Sequence, residues 1–247
     1  LQGDVLQAGM TLEEDGQKRL ALRAYGNLAD GRYEVPLLEL IPPDNAAWTN
    51  PEPLRVRVVE GGVEDLSVLL DSEGGRLAIT GTYLAGERVN LRGVVDGFHL
   101  DWVEALISDT TGGWGGEAAA TVRLQGEADN VYLDVQVAVQ DLVIPDQVEG
   151  LDMEFEMLGE GEQLLVSGRV EDDGLPLFWG GGTLPVAVNL EAPGPLPEGS
   201  LDVHLEGGPV ALASLAEHLP ALAGLTTGQV SGELNLGGML VAPEIDL

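Results

Sequence analysis

This sequence predicts a mainly β chain, built as one repetitive antiparallel sheet that is curled into an open hydrophobic groove. Three observations predict it. Apolar residues recur at every second position over long runs, the period of a strand with one dry and one wet face. The 35 glycines punctuate these runs as short turns require. One stretch also occurs twice: residues 228–247 lie over residues 116–135 at an offset of 112. Leu234 then falls on Val122, Leu236 on Leu124, Gly238 on Gly126 and Ile245 on Leu133. The runs give about sixteen strand candidates, and a sheet of more than about ten strands must curl, split or flatten. A β-sandwich or a barrel would hide the same apolar face, and periodicity alone leaves these alternatives open.

In chain order, residues 18–25 place Leu20, Leu22 and Ala24 on one face, and Asp30-Gly31 is a hairpin signal. Residues 41–53 hold four prolines and break regular structure, with Trp48 as a packing anchor among them. The chain therefore divides into 1–53, leading strands and a proline-rich loop, and 54–247, repeated units of one continuous groove. From Leu54 the hairpins become regular. Leu54, Val56 and Val58 share a face, as do Leu66, Val68 and Leu70, and then Leu77 and Ile79.

At residue 101 the period changes. Trp102, Val103, Leu106 and Ile107 fall at helical spacing, and Asp101 with Glu104 resembles a capping box. Ser214 and Glu217 repeat the device at an offset of 113, one more than in the strands, as an insertion in the connecting loop would give. Two short helices, near 101–108 and 214–219, are expected.

The middle is the purest β region. Val131, Leu133, Val135, Val137 and Val139 alternate with Tyr132, Asp134 and Gln136, and Leu151, Met153, Phe155 and Met157 alternate with Asp152, Glu154 and Glu156. Leu164, Val166 and Val170 follow, then Leu184, Val186 and Val188. After a proline-rich connector at 192–199, Leu201, Val203 and Leu205 resume the pattern, and Val230, Leu234, Leu236 and Leu240 carry its last copy. Together with Leu66, Val68, Leu77, Ile79, Val122 and Leu124, these are the residues expected to line the apolar face. They are mostly Val and Leu, with aromatics only 4% of the chain, which predicts a smooth wall.

Composition excludes several function classes. With 42 acidic and 11 basic side chains the formal charge is −31, so polyphosphate is repelled, no nucleic-acid partner is expected, and anionic membrane surfaces are repelled too. The absence of cysteine excludes disulfides and thiolate-bound zinc. The run Glu171-Asp172-Asp173-Gly174 lacks calcium-loop spacing and reads as a hairpin turn. No apolar run reaches the roughly 18 residues of a membrane span. His99, His204 and His218 stand in no hydrolase, metalloprotease or phosphate-loop motif. They are expected to be structural or surface residues, and the glycine-rich 112–116 a flexible connector. The chain is expected to be no enzyme, with no cofactor and no metal. Both ends fall mid-pattern, which reads as a piece of a longer repetitive protein whose cut edges would self-associate.

The strand–helix–strand unit, the G-x-L-x-L-x-G-x-L-x-x-P run at 232–243 and the LAITG at 77–81 together resemble the C-terminal region of the TamB family. This is the translocation and assembly module family of bacterial envelopes, related to AsmA-like proteins. The resemblance covers about 48–247. It implies a long sheet bent into a groove, apolar inside and polar outside, in a periplasmic protein anchored in the inner membrane. It also implies phospholipid or fatty acyl chains as cargo moving between the two membranes. An outer-membrane assembly barrel would be a partner, reached through a segment outside this sequence. The alternative is a scaffold for outer-membrane protein assembly, accepting client β-strands.

Overall fold

In the computed structural model, all residues are described except 1–4, 15–16, 28–29, 42–46, 101–112, 128–129, 146–147, 190–193, 197, 220–221, 223, 225–226, 240–241 and 247. The leading strands are β1 (Val5–Glu14), β2 (Gln17–Asn27), β3 (Arg32–Leu40), β4 (Trp48–Thr49) and β5 (Leu54–Val59). Then come β6 (Gly62–Ser72), β7 (Gly75–Leu84), β8 (Arg88–His99), β9 (Gly115–Glu127) and β10 (Asn130–Ile144). They are followed by β11 (Val148–Glu160), β12 (Gln163–Asp172), β13 (Leu175–Leu184), β14 (Val186–Ala187) and β15 (Gly194–Pro195). The chain continues through β16 (Asp202–Ala211), helix α1 (Leu212–His218), β17 (Gln229–Met239) and β18 (Ala242–Asp246).

Sixteen of these strands form one antiparallel sheet, almost entirely in chain order, with β5 beside β4 between β3 and β6. The sheet is mainly β and curled. The ordering follows from short turns, because a two-residue connection can only return the chain beside the strand it left. At Asp173-Gly174, for example, both residues have positive φ (48° and 78°), as a tight hairpin with matching twist demands. β1 and β18 are the two ends of the path and do not pair with each other, so no barrel closes. No second large sheet packs on the first among the described residues, so the sandwich is also set aside.

The register explains why one face is apolar. Antiparallel partners share a face, and the pairing carries one line of residues across ten strands. It runs Val68, Ile79, Gly93, Val122, Val135, Met157, Val166, Gly182, Val203 and Leu236. Nine strand spacings make this line about 43 Å long. A parallel line, two residues along each strand, joins Leu70, Leu77, Val95, Ala120, Val137, Phe155, Gly168, Gly180, Leu205 and Leu234. Strands therefore run across the trough and apolar lines run along it.

Two clusters wall the trough at opposite strand ends. On one side Val89, Val131 and Val188 are buried against Tyr83, Leu91, Leu124 and Leu133. On the other, Leu151, Leu177, Val210 and Leu215 are buried together, with Val148, Val170 and Leu222 packed on them. Leu177 reaches that cluster because a bulge between Val170↔Phe178 and Glu171↔Pro176 leaves it unpaired. Trp48 is buried, as its reading as an anchor required, and its ring stands 5.8 Å from that of Phe98.

The sequence repeat is structural. Gly93↔Val122 and Phe98↔Ala118 on β8·β9 recur 112 residues later as Leu205↔Leu234 and Val210↔Val230 on β16·β17. The bulge between Val95 and Phe98 recurs between Gly207 and Val210. Val131↔Gly126 likewise recurs as Pro243↔Gly238.

Several expectations need correction. The run Leu184, Val186, Val188 is not one strand: β13 ends at Leu184, and after Pro185 the chain leaves the sheet to pair β14 with β15. The connector at 192–199 is thus partly a strand. Helix α1 begins at Leu212 rather than at Ser214, and its N-cap is Ala211 without a side-chain hydrogen bond, so no capping box forms. The loop that leads to β9 and the loop that leads to β17 are closed by hydrogen bonds of equal span, Leu100 N–H to the Gly116 carbonyl and Leu212 N–H to the Gly228 carbonyl. The helix expected at 101–108 lies outside the described residues. Finally, the glycine-rich 112–116 is in part strand, since β9 starts at Gly115.

Candidate functional site

Residues expected to line the groove that lie on the main sheet fall on shared lines across it. Leu66, Leu124, Leu133, Leu164 and Leu184 form a third line parallel to the two above, and Met153, Val139 and Val170 a fourth. Their burial differs sharply along the strands. At the trough's walls Val131 and Leu151 are buried. In its middle Phe155 is 41% exposed, Phe178 44% and Leu205 45%. Val135, Leu164, Val188 and Leu201, also expected as lining, are buried as well. Val186 sits in the β14–β15 pair, off the main sheet, and Leu240 lies outside the described residues.

A cavity of about 690 Å³ occupies the trough over β11, β12, β13, β16 and β17. Its apolar lining includes Met153, Phe155, Val166, Val170, Phe178, Val203, Leu205, Val230 and Leu234. Glycines 168, 180, 207 and 232 supply the floor between them. The pattern has a local cause. Phe155 pairs with Gly168 and Phe178 with Gly207, and each ring lies over its glycine partner, within 3.3 Å and 3.1 Å of where a Cβ would stand. A glycine opposite an aromatic lets the ring lie down on the sheet. The result is a broad, shallow apolar surface without deep pockets. Sequence reading found the lining residues by parity, but which glycine lies under which ring is set by the strand register.

The opposite face is polar and largely self-satisfied. Its cavity of about 700 Å³ is lined in part by Gln136, Glu154, Glu156, Arg169 and Trp179. Arg169 Nη2 pairs with Glu154 Oε2 at 2.8 Å and its Nε with Glu171 Oε1 at 3.3 Å, while Gln136 Nε2 donates to Glu156 at 3.4 Å. His204 sits on this face with Nδ1 2.7 Å from Asn235 Oδ1, the polar placement its parity predicted. Among the described residues, no group of three His, Asp or Glu is arranged to hold a metal ion. No described helix is long and apolar enough to cross a membrane.

One residue does more than sequence reading gave it. His218, at the C-terminal end of α1, brings Nδ1 to 2.6 Å from the Glu149 carbonyl on β11 and Nε2 to 3.1 Å from Asp172 Oδ2 on β12. Its side chain is only 13% exposed. Burial on its own lowers the imidazole pKa, but the Glu149 carbonyl, then Asp172 and Glu217, outweigh it, and the net shift is upward from the usual histidine value. Only tertiary structure joins these groups, since 69 residues separate His218 from Glu149.

Fold and site together define a class: a curled single-sheet protein with an uncovered apolar trough and a polar back. No family model, curated protein or solved structure matches this chain.

Proposed function

We propose that the trough binds the acyl chains of phospholipid or fatty acid and conducts them along its length, as a segment of a TamB-like bridge in the bacterial envelope. The observation that carries this is the uncovered middle of the apolar face, where Phe155, Phe178 and Leu205 stay more than two-fifths exposed between two dry walls. Contiguous exposed apolar surface of this kind marks a binding site. Each buried methylene contributes about 0.8 kcal/mol, so a partly sequestered acyl chain gains substantially over water. The flat Phe-over-Gly floor offers contact without a tight pocket, which favours sliding over fixed binding.

The test is purification from a lipid-containing host without added detergent, followed by mass spectrometry, with a photoreactive lipid crosslinked to position 155 and to position 136 as control. Co-purifying lipid with a crosslink at 155 and none at 136, on the polar face, is the expected result. Lipid-free protein with no crosslink at 155 would end this reading.

A second reading has its own support. β1 ends the sheet, and Met10 and Leu12 on it are more than half exposed. An unpaired edge bearing apolar side chains can accept another strand, either from a client protein, as a scaffold for outer-membrane assembly would, or from a second copy of this chain. Dimers in solution that a Met10→Lys/Leu12→Lys variant abolishes would favour the self-associating form.

A further inference from the structure

We propose that helix α1 is a proton-controlled cover on one wall of the trough, latched by His218 across β11 and β12 and loosened when the imidazole loses its proton. The inference rests on the trough being the binding site and adds its regulation.

Helix α1 is short, and seven residues have little helical stability of their own in water. What holds it is tertiary. Leu215, 3% exposed, anchors it in the cluster with Leu151, Leu177 and Val210, and His218 pins its far end. Val170 joins the two regions, because it packs on that cluster and also lines the cavity. The helix is therefore the cover of the cavity's own wall, and lifting it would uncover Leu151, Leu177 and Val210.

The charge state of His218 decides how firmly it is pinned. As imidazolium it has two N–H donors: Nδ1 is hydrogen-bonded to the Glu149 carbonyl, and Nε2, which makes no hydrogen bond, lies 3.1 Å from Asp172 Oδ2, within ion-pair distance. The groups facing it are Asp172 from β12, the Glu149 backbone from β11 and Glu217 from its own helix, while β16 contributes the apolar Val210. Every charged neighbour is acidic, so protonation is favoured in the latched state and, by linkage, favours the latch. As the proton leaves, the charge on one side of the bridge goes and Asp172 is left facing a neutral ring. The device belongs to one copy of the repeat, since residue 106, which stands 112 positions before His218, is leucine.

The experiment follows binding of a fluorescent lysophosphatidylcholine, whose headgroup keeps its charge, from about pH 5.5 to about pH 8.5. Hydrogen-exchange protection of the α1 amides, corrected for intrinsic rates, is followed in parallel. The parent protein should gain about fivefold in affinity with rising pH while α1 loses protection. His218→Gln should flatten both curves, and Asp172→Asn, which keeps the histidine, should shrink both. If the probe fails to bind at every pH while α1 protection still falls with pH in the parent alone, the latch stands and the acyl-chain reading falls. If the probe binds equally well throughout and α1 protection is flat, or if affinity rises toward acid, the latch is overturned.

Discussion

Gly116 and Gly228, 112 positions apart, hold the same backbone angle, φ 111° and 112°. Each also accepts a 3.1 Å hydrogen bond at its carbonyl from the residue that follows the preceding strand, Leu100 for one and Leu212 for the other. The repeat thus survives in a conformation as well as in a pattern. A φ in this range strains any residue but glycine, so both positions require glycine for the chain to re-enter the sheet. Gly116→Ala and Gly228→Ala should each destabilise by about 1–3 kcal/mol. Gly116→Ala should be the worse, because its methyl would meet the fixed carbonyls of Gln140 and Asp141, whereas that of Gly228→Ala meets the movable end of Leu212. Urea unfolding of the two variants checks the order, and equal midpoints would contradict it.

Val135 and Phe155 are neighbours in the trough with opposite exposure, 9% against 41%. An aspartate at 135 would be a buried unpaired carboxylate and should cost several kcal/mol, partly relieved in acid as it neutralises. Phe155→Asp keeps its charge in water and should cost about 2 kcal/mol or less yet abolish lipid crosslinking. Thermal melting of both variants near neutral and acidic pH separates the outcomes. Comparable loss of melting temperature in the two would mean that the middle of the trough is closed.

Gln136 donates to Glu156 across the β10–β11 pair. Gln136→Asp removes this bond and sets two carboxylates opposite each other, a pairing that costs about 0.5–1 kcal/mol. Denaturant midpoints should show a small loss, largely restored by salt through screening, with lipid binding unchanged.

Leu215 is the anchor of α1. Leu215→Ala should cost about 2–5 kcal/mol if the helix stays docked around the resulting void. It should cost less, with loss of amide protection confined to α1, if the helix simply lifts. The second outcome is expected, because α1 rests on few contacts beyond this cluster and the His218 bridge. Hydrogen exchange read residue by residue distinguishes the two.

His218 also predicts the sign of a pH effect on stability. Its pKa is raised in the folded state. Its contribution is therefore fully present below the unfolded value of about 6.5 and is lost as pH rises through the folded value above it. His218→Gln should remove this slope across the neutral-to-alkaline side, which melting temperatures in the parent and variant will show. A slope unchanged by the substitution would place its source elsewhere.

The sequence by itself determined the strands, the polarity of their two faces and the repeat. Alternation is a local property of the chain, and the short turns between strands force neighbours in sequence to be neighbours in the sheet. Parity was enough to assign Val135, Met157 and Val166 to one face before any pairing was known. The bulges at Asp65 and Asp141, which keep that face in step despite an extra residue, left only a broken alternation to find. What tertiary structure alone decided is how the apolar face meets water. The same Val and Leu pattern would serve a packed core, and the difference lies in long-range contacts. Val188 and Leu215 dry the walls from outside the sheet, while Phe155 and Phe178 lie flat on glycines and leave the middle open. His218 shows the same limit, because its partners become neighbours only when α1 docks on β11 and β12.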